Sequence, residues 1–165
     1  MLTSCDYREH CPPPAFRFLV GAARPPGALL AMLAPLRVRA ARRLPIAYGR
    51  LTRRPIDAAA SDSYVLPAIE RADIGDDLRR ALLGLDVAHT VQAAERLSGL
   101  DRPALVAWSR DDPIFPARDA EALAAAIPGA RLEWIEDAGA LFPEDQPGRL
   151  AALIEEFAGA TARAA

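Results

Sequence analysis

The residues of this chain with the clearest potential for chemistry are two adjacent aspartates, Asp111 and Asp112. They follow a continuous apolar run, Ala104–Trp108, and precede an alanine-rich segment with helical periodicity. An apolar run of this kind suits a buried strand of a parallel sheet, and open α/β sheets hold ligands at the carboxyl ends of their strands. An acidic residue there is a candidate for a ligand site. The alternative is an ordinary strand-to-helix loop with solvated aspartates.

Histidine and cysteine occur only twice each. His10 lies in a polar loop near the end of the first candidate strand, whereas His89 lies on a predicted helix, where a structural role is favoured. As a nucleophile, Cys5 would need a nearby base and a lowered pKa, which no adjacent residue guarantees. Cys5 and Cys11 lack the spacing of a metal site or a CxxC motif, so we expect two reduced thiols. The sequence has no metal-ligand cluster and no glycine-rich phosphate loop, and it predicts no cofactor.

The last third of the chain contains the elements that must position these aspartates. The predicted elements are, in order, a strand at Ala104–Trp108, a helix at Arg118–Ile127, a strand at Arg131–Ile135 and a helix that bears Leu150, Leu153, Ile154 and Phe157. Asp145 is the predicted cap of the final helix, with Pro147 in its first turn. Strands that alternate with helices predict a parallel sheet with right-handed crossovers.

The segment from Pro12 to about Gly99 has a helical pattern that proline and glycine interrupt. We predict helices within Leu29–Arg43, around Leu78–Leu85 after Asp76, and around Val91–Leu97. A short apolar candidate strand, Met1–Cys5, precedes this segment. A simple crossover between parallel strands needs only about a dozen residues. An insertion as long as this one usually covers something.

Length and charge limit the classes of function. A chain of 165 residues, 52% of them apolar, predicts one globular domain, and a net charge of −2 gives no overall attraction to nucleic acid or membranes. Nine arginines and no acidic residue lie between His10 and Ile56. They indicate either an anion or lipid-headgroup surface or, as we favour, solvated helix faces. The absence of lysine and asparagine indicates a GC-rich genome, which weakens any inference from arginine alone.

The sequence contains no predicted targeting or membrane segment. The most apolar stretch, Phe18–Leu36, is interrupted by Arg24, Pro25 and Gly27 and is too broken to span a bilayer. Charged residues follow Met1 too soon for a signal peptide. We therefore expect a cytoplasmic protein whose partner is a small-molecule substrate or ligand, with no nucleic acid and no membrane.

Several segments of the chain resemble the C-terminal half of α/β-hydrolases. The segments that carry the resemblance are Leu2–Asp6, Pro12–Phe16, Pro103–Pro116, Ala130–Leu132 and Phe142–Pro147. The resemblance implies a partial α/β-hydrolase of about three parallel strands with flanking helices. It also implies a division into core residues 1–11 and 100–165 and a helical cap or lid at residues 12–99.

The resemblance assigns the catalytic candidates by position. Asp112 matches the triad acid after the seventh strand, three residues beyond Ser109, where the family usually has glycine. Asp6 ends the segment that matches the sixth strand, where some members place an alternative acid. The triad histidine usually follows the eighth strand as Gly-His, but Gly139 is followed here by Ala140. Alanine cannot accept a proton.

The nucleophile motif of the family, G-x-S-x-G, does not occur in this chain, which begins at the next strand. We therefore expect a truncated hydrolase of an ester, amide or similar bond in a small apolar substrate, inactive as this chain alone. We also expect the outer edge of its first strand to be unpaired, which is an aggregation hazard. The alternative is a non-catalytic ligand-binding or interaction protein on a hydrolase scaffold.

Overall fold

Three parallel strands form the sheet of the molecule. In the computed structural model, which describes residues 1–164, they are β1 (Leu2–Thr3), β2 (Leu105–Ser109) and β3 (Arg131–Ile135). They lie in the order β1-β2-β3, and both neighbouring pairs are parallel. All five residues of the central strand β2 are buried, as expected for an apolar run in a sheet that is covered on both faces. The predicted α/β class with about three parallel strands is confirmed.

Helices make up most of the remaining structure. In chain order they are α1 (Arg17–Ala23), α2 (Ala28–Leu33), α3 (Arg39–Arg42), α4 (Ala58–Glu70), α5 (Ala72–Leu83), α6 (Val87–Arg96), α7 (Ala117–Ala126), α8 (Phe142–Asp145) and α9 (Pro147–Ala164). Short 3-10 turns lie at Arg8–His10, Pro14–Phe16, Ala34–Arg37 and Leu97–Gly99. Within residues 1–164, none of the helices is both long and apolar enough to cross a membrane.

The central strand contributes to two separate cores. Val106 and Trp108 face the core that α7 covers, whereas Leu105 and Ala107 face the core that α9 covers. This division follows from strand geometry, because successive side chains point to opposite faces of a sheet. Burial of a large apolar side chain contributes about 1.5–3 kcal/mol, so β2 stabilises both layers. The carboxyl ends of β2 and β3 are thereby held side by side.

The helices between β1 and β2 pack mainly against one another. Leu29 of α2 and Val65 of α4 are buried in this layer. A Cβ atom at Gly75 in α5 would lie 2.9 Å from the carbonyl oxygen of Ala68 in α4, so these two helices approach more closely than a side chain at position 75 allows. Residues 12–99 are mostly helical, as expected, apart from the long loop between α3 and α4, while their division from a core domain stays a prediction.

The strand predictions agree with the structure, and several helices were missed or misplaced. The strand Arg131–Ile135 has the predicted bounds, whereas the first strand is limited to Leu2–Thr3. Helices α1 and α4 were not predicted, and α5 begins before the aspartates that were expected to precede it. In α4, Pro67 lies in the last turn and the apolar residues form no clear stripe. The sequence of α4 therefore shows no helical periodicity from which this helix could be predicted.

The predicted helix cap at Asp145 is wrong. Its carboxylate accepts hydrogen bonds from the backbone amides of Arg53 and Arg54 at 2.9 Å and of Gly139 at 2.8 Å. These amides belong to two loops and not to the first turn of α9. Asp145 therefore joins the loop after β3 to a segment more than ninety residues upstream.

Candidate functional site

The loop after β2 holds Asp112 in a fixed orientation. Oδ1 of Asp112 accepts the amide of Ile114 at 2.8 Å and that of Phe115 at 2.9 Å. The indole Nε1 of Trp108 donates to the carbonyl oxygen of Phe115 at 3.0 Å, and the two rings meet edge to face. A short aspartate-centred turn of this kind satisfies backbone groups locally. The carboxylate is positioned by its own loop and by the core beneath it.

The second carboxylate oxygen of Asp112 is buried and accepts no hydrogen bond from any residue in 1–164. A buried acceptor without a donor costs about 1–3 kcal/mol. Such groups are uncommon and each one calls for an explanation. Oδ1 is fixed and Oδ2 is unused, which is an arrangement that suits an incoming donor such as an imidazole N–H.

His10 contributes to the same cavity as Asp112 but is paired with a different acid. This cavity has a volume of about 310 Å³, and its walls include Asp112, Ile114, His10 and Asp119. Nδ1 of His10 lies 2.6 Å from Oδ2 of Asp119, whose side chain is 6% exposed. Asp119 orients the ring, and no hydrogen bond joins His10 to Asp112. Sequence reasoning overlooked Asp119, because its partner lies 109 positions away.

Asp6 lies near the cysteines and does not line the cavity of Asp112. Burial raises the pKa of Asp6, and a hydrogen bond with Cys11 acts in the opposite direction. Burial, together with the charge of Asp6, raises the pKa values of Cys5 and Cys11 to about 11. Thiols with such pKa values are protonated at neutral pH and are poor nucleophiles. The role of Asp6 as an alternative acid stays a prediction.

His89 is exposed on α6, and the structure brings it to none of the acids discussed above. Within residues 1–164, histidine, cysteine, aspartate and glutamate side chains form no cluster of three or more that could hold a metal ion.

The loop after β3 contains the position that matches the family's histidine. Ala140 in this loop is 7% exposed. The hydroxyl of buried Ser109 at the end of β2 donates to the carbonyl oxygen of Ala138, so the two loops are joined directly. This bond gives a structural reason for serine at position 109. It also brings the segment that contains Ala140 to the end of β2, where the Asp112 loop begins.

A third segment covers the loop after β3. The amide of Leu141 donates to the carbonyl oxygen of Leu51 at 2.8 Å. A Cβ atom at Gly139 would lie only 2.4 Å from that same oxygen, so glycine is required for this close approach. Nη2 of Arg53, in the covering segment, donates to Asp111 at 2.6 Å. The segment at Leu51–Arg53 therefore contacts both loops that follow the sheet.

An apolar cavity of about 290 Å³ lies among the helices between β1 and β2, and Phe16, Phe18, Leu33, Leu36, Ile46 and Leu51 are among its wall residues. A neighbouring cavity shares Phe16, Phe18, Ile46 and Leu51 with it and reaches Ile114 of the Asp112 loop. Ile114 also lines the cavity that contains Asp112. Ile114 of the Asp112 loop thus forms part of the wall on both sides, between the apolar space and the cavity of Asp112. The apolar stretch from Phe18 was the signal in the sequence that could have located it.

The comparison with solved structures identifies the fold. No protein-family model and no curated protein matches this chain. An α/β hydrolase fold protein from Burkholderia ambifaria is similar over 86% of this chain and 50% of its own, with a TM-score of 0.65 and 21% identity. A thermophilic esterase from Thermogutta terrifontis is similar over 97% of this chain and 55% of its own, with a TM-score of 0.59 and 23% identity.

An esterase from Rhodococcus sp. is similar over 90% of this chain and 49% of its own, with a TM-score of 0.56 and 19% identity. The chain therefore spans about half the length of the solved structures it matches. Likeness at this level of identity establishes the fold and not the activity. Residues 1–164 have a partial α/β-hydrolase fold.

Proposed function

We propose that this chain is the acid-bearing part of a hydrolase that cleaves an ester, amide or similar bond in a small apolar substrate. The observation that carries the proposal is the geometry of Asp112. One of its carboxylate oxygens is fixed by two backbone amides, and the other is buried without a donor among residues 1–164. The half-length likeness to esterases and other α/β hydrolases supports the same reaction class.

In this proposal Asp112 is the acid of a triad whose histidine position, 140, holds alanine in this chain. A buried carboxylate that accepts an imidazole N–H holds the ring in one tautomer and stabilises the imidazolium that forms when the ring takes a proton. The sequence has no G-x-S-x-G motif, so the proposal assigns the nucleophile and the oxyanion donors to none of these 165 residues. The apolar cavities that lie next to the Asp112 loop at Ile114 support an apolar substrate.

Restoring an imidazole at position 140 tests whether Asp112 lies where a triad acid must be. In Ala140→His, we expect NMR titration to give the new imidazole a raised pKa, because a nearby carboxylate favours the charged ring. The double variant Ala140→His/Asp112→Asn should return that pKa towards the ordinary histidine value. Ala140→His/Asp111→Asn is the matched control, because Asp111 is exposed and already paired with Arg53. Equal imidazole pKa values with and without Asp112 would contradict the proposal.

Turnover measurements test whether the chain is incomplete as a catalyst. We expect residues 1–165 to hydrolyse p-nitrophenyl butyrate no faster than the Asp112→Ala variant, since Ala140 supplies no base. Hydrolysis by the unaltered chain that Asp112→Ala abolishes would show a working site and overturn this expectation.

A non-catalytic ligand-binding protein is the second candidate, and the burial of Ala140 favours it. This small side chain is 7% exposed in a loop that Ser109, Leu51 and Asp145 hold in place, so the loop is well packed without the imidazole. Binding to the folded state alone raises the melting temperature. Stabilisation by methyl butyrate without release of the acid would favour this candidate over the hydrolase.

A further inference from the structure

Five arginines line a cavity of about 260 Å³ between α3, the following loop and the start of α4. They are Arg39, Arg42, Arg43, Arg53 and Arg54. The wall also includes the hydroxyl-bearing residues Tyr48, Thr52 and Ser61, and no acidic residue. We refer to this space as the arginine cavity.

Ion pairs behind the wall fix four of these guanidinium groups. Asp62 pairs with both Arg39 and Arg42, and these two arginines lower the pKa of Asp62 to about 2. The side chain of Arg42 is only 3% exposed and also donates to the hydroxyl of Ser61. These contacts hold the positive wall in place before any ligand arrives, which reduces the entropy lost on binding.

The remaining two pairs connect the wall to the sheet loops. Arg53 pairs with Asp111, and Arg54 pairs with Asp137. Three carboxylates thus pair with four of the five guanidinium groups, and among residues 1–164 Arg43 has no carboxylate partner.

Several donors on the wall have no partner among residues 1–164. The exposed guanidinium of Arg43 and the hydroxyls of Thr52 and Tyr48 take part in no hydrogen bond there, and Arg53 uses only Nη2. Burial raises the pKa of Tyr48, so its hydroxyl keeps the proton that it can donate. A guanidinium fork and neighbouring hydroxyls are the donor set that carboxylates and phosphates match best.

We infer that the arginine cavity binds the carboxylate or phosphate group of a small organic anion. Its volume is near the lower end of small-molecule sites, so it suits one oxyanion group with a short carbon skeleton. Tyr48 lines both this cavity and the apolar cavity, so its ring offers an apolar contact to the carbon skeleton of the ligand. The inference does not depend on hydrolysis, because Asp112 is not part of the wall.

A small anion is favoured over an extended polyanion or a membrane surface. Four of the five arginines are already neutralised in part by carboxylates, whereas binding along nucleic acid or a bilayer needs many unpaired cations on an open face. The unpaired guanidinium of Arg43 lies in one cavity and not along a stripe of exposed cations. The ligand therefore enters the arginine cavity and does not lie across its opening.

Calorimetric titration of the 165-residue chain at constant ionic strength tests the inference. Inorganic phosphate and butyrate serve as probes, and their relative affinities distinguish a phosphate from a carboxylate ligand. We expect saturable one-to-one binding of at least one probe, and roughly tenfold weaker binding in Arg43→Gln, since a charge-assisted hydrogen bond is lost. Thr52→Val, which keeps the side-chain shape, should weaken the same probe several-fold.

Arg50→Gln is the matched control. Arg50 is exposed on the same loop, has no hydrogen-bonding partner among residues 1–164 and does not line the arginine cavity. The variant removes the same charge as Arg43→Gln, so we expect its affinity for the probe to equal that of the unaltered chain.

Three outcomes would overturn the inference. The first is no saturable binding of either probe at millimolar concentration. The second is equal weakening in the Arg43 and Arg50 variants, which would indicate general charge attraction. The third is binding to phosphatidylglycerol vesicles that neither small anion reduces, which would indicate a membrane surface. Equal melting temperatures of the variants and the unaltered chain confirm that each variant is folded.

Discussion

The loops after β2 and β3 leave the same edge of the sheet, but they are held in opposite ways. The loop after β2 is ordered locally, because Asp112 accepts amides two and three residues further along the chain. The loop after β3 is ordered by distant groups, namely Ser109, Asp145 and the carbonyl oxygen of Leu51. The first loop presents an unused carboxylate oxygen, and the second presents a methyl group at Ala140.

This difference shows that the structural support of a loop can be independent of the side chain at its candidate catalytic position. The supports of the loop after β3 act on backbone atoms, such as the amides of Gly139 and Leu141, and make no demand on the side chain at position 140. The support of Asp112 comes through the carboxylate itself. A substitution at position 112 therefore alters both order and chemistry, whereas one at position 140 alters chemistry first.

The largest expected loss of stability is at Asp145, which joins the loop after β3 to a distant segment of the chain. Asp145→Ala removes the acceptor of three backbone amides, and Asp145 is only 6% exposed. Because the buried amide of Gly139 and the partly buried amides of Arg53 and Arg54 would lose their acceptor, we expect a loss of about 3–4 kcal/mol in the free energy of unfolding, measured by urea denaturation. Asp137→Asn in the same loop should have little effect, because the pair with Arg54 that it removes is exposed and asparagine tolerates the positive φ of 53° at this position. Similar losses in both variants would mean that Asp145 is not the main support.

The two loops also differ in how far the sequence predicts them. The apolar run before Asp111 and Asp112 and the helix after them are local patterns, and both predictions agree with the structure. Asp145 was misassigned as a helix cap because its partners, Arg53 and Arg54, lie in a loop that no local pattern connects to it. The pairing of His10 with Asp119 was missed for the same reason. Local order can be read from the sequence, but contacts between distant loops depend on the completed fold.

A smaller loss of stability is expected at Asp112, which orders the loop after β2 locally. Asp112→Ala loses two hydrogen bonds from Oδ1 but also removes the buried Oδ2 that has no donor among residues 1–164. The two changes oppose each other, so we expect a net loss of about 1 kcal/mol or less in urea denaturation. Asp57 gives a matched control, because it caps α4 by accepting the amides of Ala59 and Ala60 and has no orphaned buried oxygen. Asp57→Ala should therefore destabilise the chain more than Asp112→Ala does.

The reverse order of those two losses would mean that Oδ2 of Asp112 already has a favourable partner in the folded chain. The positional assignment of Asp112 as an acid with an unused acceptor would then be wrong. The titration of an imidazole introduced at position 140 would show the same error independently, through a pKa that does not respond to Asp112.

The smallest effect concerns the ionisation of Asp6, the candidate alternative acid. Burial raises the pKa of Asp6 in the folded state above its unfolded value, so the folded chain holds the proton to higher pH. Stability from this group is therefore full below the unfolded pKa and is lost as pH rises through the folded pKa. Asp6→Asn removes the ionisation, so its melting temperature should exceed that of the unaltered chain by an amount that grows as the pH rises above about 4, the ordinary pKa of an aspartate. Differential scanning calorimetry across this range measures it, and a gap that narrows with rising pH would show that the Asp6 carboxylate is stabilised by a partner after all.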